Sequence, residues 1–411
     1  MSFDIALSGI QAINEALDTT SHNIANAGTY GFKSSRANFS SLVAGDQPTG
    51  VMVGSHTQSI NQQGGILNTG RSLDASINGR GFFISRDVNT GVTQYSRVGI
   101  FSGSKDGYVV DSNGRRVQGN VITPGTDVKG AQGDIKIQTG AIPAVMTAKM
   151  NYVGNLSADW SVPAVAFDQT TATPTTPPDP ASFNMAKATV IYDTLGGQHT
   201  LTQYFSRANA TDVTVNYLVD GLQSGQSTTI STDSNGQMTA PAATPDNGTF
   251  NVDLTGFTLA NGAKLGSIAL NYTGTTGFAG EATTATNNAN GYASGTYQGI
   301  DLGEDGSIIA KYTNGQKQTI GMLSMATFAD EGALTAVSDT SWIESVASGQ
   351  ANIDNPGVGM NGTLTVASLE QSNVDITSEL VGLMTSQRNY QANSKVIQTE
   401  SQMMQSLMQA I

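Results

Sequence analysis

Apolar positions divide the chain into two helical ends and a middle of another kind. From Phe3 they recur at spacings of four and three, through Leu7, Ile10, Leu17 and Ile24, with Asn14 and Ser21 continuing the stripe and no proline before Pro48. The spacing predicts an amphipathic helix of about seven turns. The C-terminal stripe is more regular, as Ile376, Leu380, Leu383, Gln387, Tyr390, Ser394, Ile397, Ser401, Met404, Met408 and Ile411 step by four and three to the last residue. Asp375 stands where an N-cap belongs, and the one helix-breaking residue after it, Gly382, costs about 1 kcal/mol relative to Ala. A helix of about 55 Å is expected. Both stripes are narrow, like a coiled-coil seam, and each lies at an extreme terminus beyond a turn-rich segment. Two such helices paired alone would leave their outer faces wet, so the apolar residues are read as an assembly seam completed by neighbouring chains.

Between about residues 70 and 355 the pattern becomes short alternating runs. Asp106-Gly107, Asn113-Gly114, Asn235-Gly236 and Asn314-Gly315 predict tight hairpin turns, because Asn and Asp tolerate the positive φ that Gly permits freely. The middle is therefore expected to be mostly antiparallel β. A Thr/Pro-rich stretch with Pro174, Pro177, Pro178 and Pro180, and a low-complexity stretch at 281–290, suggest an inserted domain. The expected architecture is mainly β with terminal α-helices, a nested multi-domain chain. Residues 1–24 with 367–411 form the terminal helical domain, 71–149 with 289–356 an inner β domain, and 150–288 an inserted outer β domain. Segments 25–70 and 357–366 are left as linkers, the adaptable joints of the chain.

Composition narrows the function. Charged residues make up 12% of the chain and Gly occupies 47 positions, so uncharged polar surface dominates and can pack against copies of itself without burying unpaired charge. A formal net charge of -13, with no basic stripe, speaks against nucleic acid as a partner. Cysteine is absent, which removes disulfides and thiolate metal sites. The first basic residue is Lys33, so no charged n-region of a cleaved signal peptide is seen, and no apolar run reaches the roughly 18 residues of a membrane span.

No cofactor, metal or catalytic site is expected. His22, His56 and His199 have no second ligand at metal-binding spacing. The run Gly357 to Gly362 fits G-x-G-x-x-G, yet Asp354-Asn355-Pro356 precedes it where a strand should be and Thr363-Leu364-Thr365-Val366 follows where a helix should open. Asp301 to Gly306 begins like a calcium loop, but Gly303 and Tyr312 occupy ligand positions, so a hairpin turn at Asp305-Gly306 is the better account.

Three segments carry a family resemblance. His22-Asn23-Ile24-Ala25-Asn26-Ala27-Gly28-Thr29-Tyr30-Gly31-Phe32-Lys33 resembles the N-terminal signature of bacterial flagellar rod and hook proteins. Ser372-Asn373-Val374-Asp375-Ile376, Glu379-Leu380 and Gln387-Arg388-Asn389-Tyr390-Gln391-Ala392-Asn393 are similar to the C-terminal motif of the same family. Leu73 to Ile84, with Gly79-Arg80-Gly81 where the family has Gly-Asn-Gly, and Tyr95-Ser96-Arg97 onward continue the likeness. The length favours a hook member over a rod member.

The resemblance implies a structural, non-enzymatic subunit of the hook at the cell exterior, exported without a cleaved signal. Such subunits polymerise into a flexible, curved tube that transmits motor torque as a universal joint. The implied partners are other copies of the chain, the distal rod, the hook cap, the hook-filament junction proteins and the flagellar type III export apparatus. A rod subunit, or a secreted β-rich adhesin or binding module, are the alternatives.

Overall fold

The computed structural model describes residues 2–44, 47–123, 128–168, 177–241, 248–257, 259 and 262–410. The chain separates into two compact units, one of Met1–Thr139, Gln298–Lys311 and Lys317–Ile411, the other of Gly140–Tyr297 and Tyr312–Gln316. The terminal helices thus cluster with the flanking β segments, and the second unit is wider than the expected insertion at 150–288. Mainly β structure between two terminal helices is the architecture that the residue pattern calls for.

In the first unit, helix α1 (Ser2–Ala25) and helix α2 (Ile376–Ala410) run antiparallel, with Asn23 bonded to Glu379 near one end and Gly9 against Asn393 farther along. That register sets Ser2 level with Glu400, so residues 401–410 of α2 have no α1 opposite them. Asp375 caps α2: its carboxylate accepts from Thr377 N at 2.9 Å and from Ser378 Oγ at 2.9 Å.

The segment read as the first linker is structured. Strands β1 (Ser35–Ala44) and β2 (Gln47–Gln58) form a long antiparallel hairpin with bulges after Asn38 and Leu42. The other supposed linker holds a strand at Thr363–Val366 paired with Asp74–Asn78, and the loop before it is closed by Gly357 N to Gly362 O at 2.9 Å and Gly362 N to Arg80 O at 2.7 Å. The β body is a large antiparallel sheet around Ile84 and the rings of Phe82, Tyr95, Phe328 and Trp342, which meet edge to face.

The second unit has, among the described residues, two sheets facing one core. Met185–Tyr192, Gln198–Arg207, Asp212–Val219, Leu222–Thr232 and Met238–Ala240 make one; Thr249–Asp253, Ser267–Asn271, Lys149–Asn155 and Thr283–Ala289 make the other. Lys149–Asn155 pairs in parallel with Ser267–Asn271, an exception to the antiparallel expectation. The core is polar at one point: Tyr217 and Tyr272 hydroxyls lie 2.8 Å apart, and Tyr272 donates to Gln203 Oε1 at 2.6 Å, so no buried hydroxyl of this pair is orphaned.

The predicted Asx-Gly turns are present with a different conformation. At Asp106, Asn113, Asn235 and Asn314 the φ is not positive; only the following Gly is, at 75°, 79°, 73° and 79°. Each loop spans three residues, closed by bonds such as Asp111 N to Arg115 O at 2.9 Å and Gly114 N to Asp111 O at 3.1 Å. This is a type I turn followed by a left-handed glycine. Gly306, at φ 83°, closes the same loop where the calcium-like motif stood. The two-residue turn with both residues left-handed occurs instead at Asp220-Gly221, φ 50° and 79°, joining Val219 to Leu222.

Candidate assembly interface

The N-terminal motif builds a clasp between the two ends of the chain. Asn23, buried on the last turn of α1, donates to Ser35 O at 2.8 Å and to Glu379 Oε1 at 2.8 Å, and accepts from Ser35 N at 2.9 Å. Asn26 turns back to His22 O at 3.0 Å and ends the helix. Gly31, at φ 67°, gives its N–H to Glu370 O at 2.8 Å; a Cβ there would sit 2.8 Å from the Val98 side chain. Phe32 is buried edge-on to His22, with ring centres 5.5 Å apart, while Ala25 is exposed and Tyr30 half-buried.

Lys33 ends the motif in a buried charge cluster. Its ammonium donates to Glu370 Oε1 at 2.7 Å and Gln62 O at 2.6 Å, and both side chains of the pair are at most 1% exposed. Glu370 Oε1 also accepts Gly64 N at 3.0 Å, and Oε2 lies 3.6 Å from Arg97 Nη1. Burial pulls the Lys33 pKa down against the opposing pull of Glu370, and burial does the same to Arg97. Asn373 completes the clasp by accepting from Ser34 N at 2.7 Å and donating to Ser59 O at 2.9 Å. Arg97 stood in the family likeness without a role, and Glu370 and Gln62 were not singled out by sequence reasoning, since a lone carboxylate in Ser368-Leu369-Glu370 carries no sign of being buried.

The seam residues lie elsewhere than on each other. Within the chain, Gly9 of α1 lies against Asn393 of α2, and with Ala12, Ile13, Ala16, Ser386, Asn389 and Ala392 these two line a groove of about 400 Å³ between the helices. Gly9 faces the Asn393 amide so closely that a Cβ would come within 2.8 Å of it. This small-residue face is roughly 120° round α1 from the apolar stripe. Phe3 and Leu7 are consequently exposed, and Ile10, Leu17 and Ile24 half-buried.

On α2, Ile376, Leu380, Tyr390, Met404 and Met408 are exposed, the last at 74%, while Leu383 and Ile397 are half-buried. Ile411 lies outside the described residues. The motif residues Gln387, Arg388, Asn389 and Tyr390 are all exposed. Sequence spacing therefore marks the outward stripe, and the inward face, built from Gly, Ala and Asn, escapes a hydrophobicity count.

These segments coincide with known families. Residues 3–33 match the family described as flagella basal body rod protein, 76–148 the flagellar hook protein FlgE/F/G D1 domain, 155–292 the flagellar basal body protein FlaE D2 domain, and 366–410 the flagellar basal body rod FlgEFG protein C-terminal. The flagellar hook protein FlgE of Salmonella typhimurium is 33% identical, with 99% of each chain covered. That of Escherichia coli is 32% identical over 99% of each, and that of Treponema pallidum 30% identical over 98% of this chain and 97% of its own. The crystal structure of Helicobacter pylori flagellar hook protein FlgE2 shares the fold at a TM-score of 0.51 and 12% identity, covering 74% of this chain and all of that one. With relatives above 30% identity matched from end to end, and terminal motifs that fold into one clasp, the chain belongs to the flagellar hook protein FlgE family.

Proposed function

We propose that copies of this chain polymerise through their terminal helices into a flexible, curved tube, the flagellar hook, which carries torque to the filament. The chain is a structural subunit of the flagellar hook, outside the cell. The observation that carries the polymerisation reading is the unpartnered apolar stripe: Phe3, Leu7, Leu380, Met404 and Met408 are exposed on helices that meet each other through other residues, Gly9 with Asn393 and Asn23 with Glu379. Burying each such side chain is worth about 1.5–3 kcal/mol, and the gain recurs in every subunit of a polymer. Bending then falls on interfaces that slide, favoured by the scarcity of charges that a slide would unpair.

The distal rod, hook cap, junction proteins and export apparatus are the partners proposed from the family likeness, and the chain's role is structural rather than catalytic. A rod subunit would share the terminal clasp, and tube curvature separates the two readings.

The test is polymerisation of the purified protein, followed by sedimentation and electron microscopy. Leu380→Asp combined with Met404→Asp places carboxylates on the stripe and should abolish tubes while the β body keeps its circular dichroism. Tubes forming at the parent's critical concentration would sink the proposal.

A further inference from the structure

The helix pair carries opposite charges on its two outer flanks. Residues 1–32 contain no Lys or Arg, and α1 bears Asp4, Glu15 and Asp18. The cations of α2 are Arg388 and Lys395, seven residues apart and therefore on one face. Both are exposed, and neither side chain has an ion pair or hydrogen bond among the described residues; the same is true of Asp18. Asp18 lies nine residues beyond Gly9, and Arg388 nine beyond Glu379, so each points about half a turn away from the contact between the helices.

The flanks also match in height. With Asn23 opposite Glu379 and Gly9 opposite Asn393, Arg388 stands level with residue 14, about 1.5 Å along the axis from Glu15 and about 6 Å from Asp18. On the acidic flank a groove of about 460 Å³ lies between Glu15, Asp18 and His22 of α1, His56 of β2 and Leu334 of the β body, with no Lys or Arg among the described residues that line it. His56 lies 3.4 Å from Glu15, which leaves the Asp18 carboxylate as the free acceptor.

We propose that this acidic groove receives Arg388 of a second copy of the chain, so that helix pairs join flank to flank at equal height. Different patches of one chain meet in such a contact, so it is heterologous and repeats from copy to copy instead of closing a two-fold dimer. A guanidinium suits the site because its planar fork can engage two carboxylate oxygens. The inference rests on the polymerisation reading and adds to it which surfaces meet and in what register.

Charge reversal tests it. Arg388→Glu and Asp18→Arg should each raise the critical concentration for polymerisation by about tenfold, as attraction becomes repulsion in every subunit contact. The double variant, with both charges exchanged, should return to within about threefold of the parent. An unchanged critical concentration for Arg388→Glu, or a double variant as impaired as the two singles combined, would overturn the flank contact. A parent chain that never polymerises would instead overturn the function proposed above, so the two failures are distinguishable.

Discussion

Lys33→Met removes one cation from a cluster whose side chains are buried. Before the change, Lys33 and Arg97 flank one carboxylate, Glu370, at 2.7 and 3.6 Å, while the buried Glu331 is held by Arg80 at 2.9 Å. After it, Glu370 loses its closest cation but keeps Arg97 as counter-charge and Gly64 N–H as donor, and Gln62 O loses the ammonium that it accepted from. Breaking a buried pair costs about 3–5 kcal/mol, and the surviving cation places this variant near 3 kcal/mol. Glu370→Gln is worse, because two cations already disfavoured by burial then share a neutral amide; it should cost about 5 kcal/mol. The chain has two tryptophans, Trp342 in the β body and Trp160 against the core of the other unit. Trp160→Phe therefore leaves a fluorescence signal specific to the first unit for urea titration. A Lys33→Met variant within about 1 kcal/mol of its parent, or one less stable than Glu370→Gln, would refute the electrostatic reasoning.

Two further outcomes are expected. His199 sits between Asp220 at 2.6 Å and Asp193 at 3.2 Å; burial alone would lower its pKa, but the two carboxylates outweigh it and hold it above the usual 6.5. The stabilisation is thus full below the unfolded value and lost as pH rises through the folded one, so the second unit should weaken as pH climbs above 6.5, with His199→Gln flattening the profile. An imidazole signal titrating at or below 6.5 by NMR would contradict this. Ala367 adopts φ 55°, a left-handed conformation costing an L-residue about 1–2 kcal/mol, so Ala367→Gly should stabilise the first unit by about 0.5–1 kcal/mol after the added freedom of the unfolded chain is subtracted. Thermal melts of that variant and of Ala367→Val, which should destabilise, read the sign.

The helices were legible because the stripe from Phe3 to Ile24 and from Ile376 onward keeps one period without interruption. The β character of the middle was legible through its turns, though the turns themselves are three-residue loops at Asn113-Gly114 and its like, and a two-residue loop at Asp220-Gly221. Hairpin β1–β2 was invisible for a physical reason. With Phe39, Leu42, Val43 and Met52 exposed among polar neighbours, neither face is dedicated to a core, so no alternation is imposed on the residues. The clasp was seen as a motif without its purpose, because Lys33 and Glu370 read as ordinary surface charges until they are found 337 positions apart in sequence and 2.7 Å apart in space.

That separation governs when the first unit can close. Gly140–Tyr297 supplies nearly all of the second unit, so its sheets can form while the C-terminal part of the chain is still being delivered. Lys33 must wait for Glu370, and Asn23, at a separation of 356 residues, for Glu379. Contacts of such high sequence separation form late, and until they do the early segments of the clasp remain unbonded. A chain that appears N-terminus first therefore keeps this clasp open until residues 370–379 have arrived, and only then can it lock.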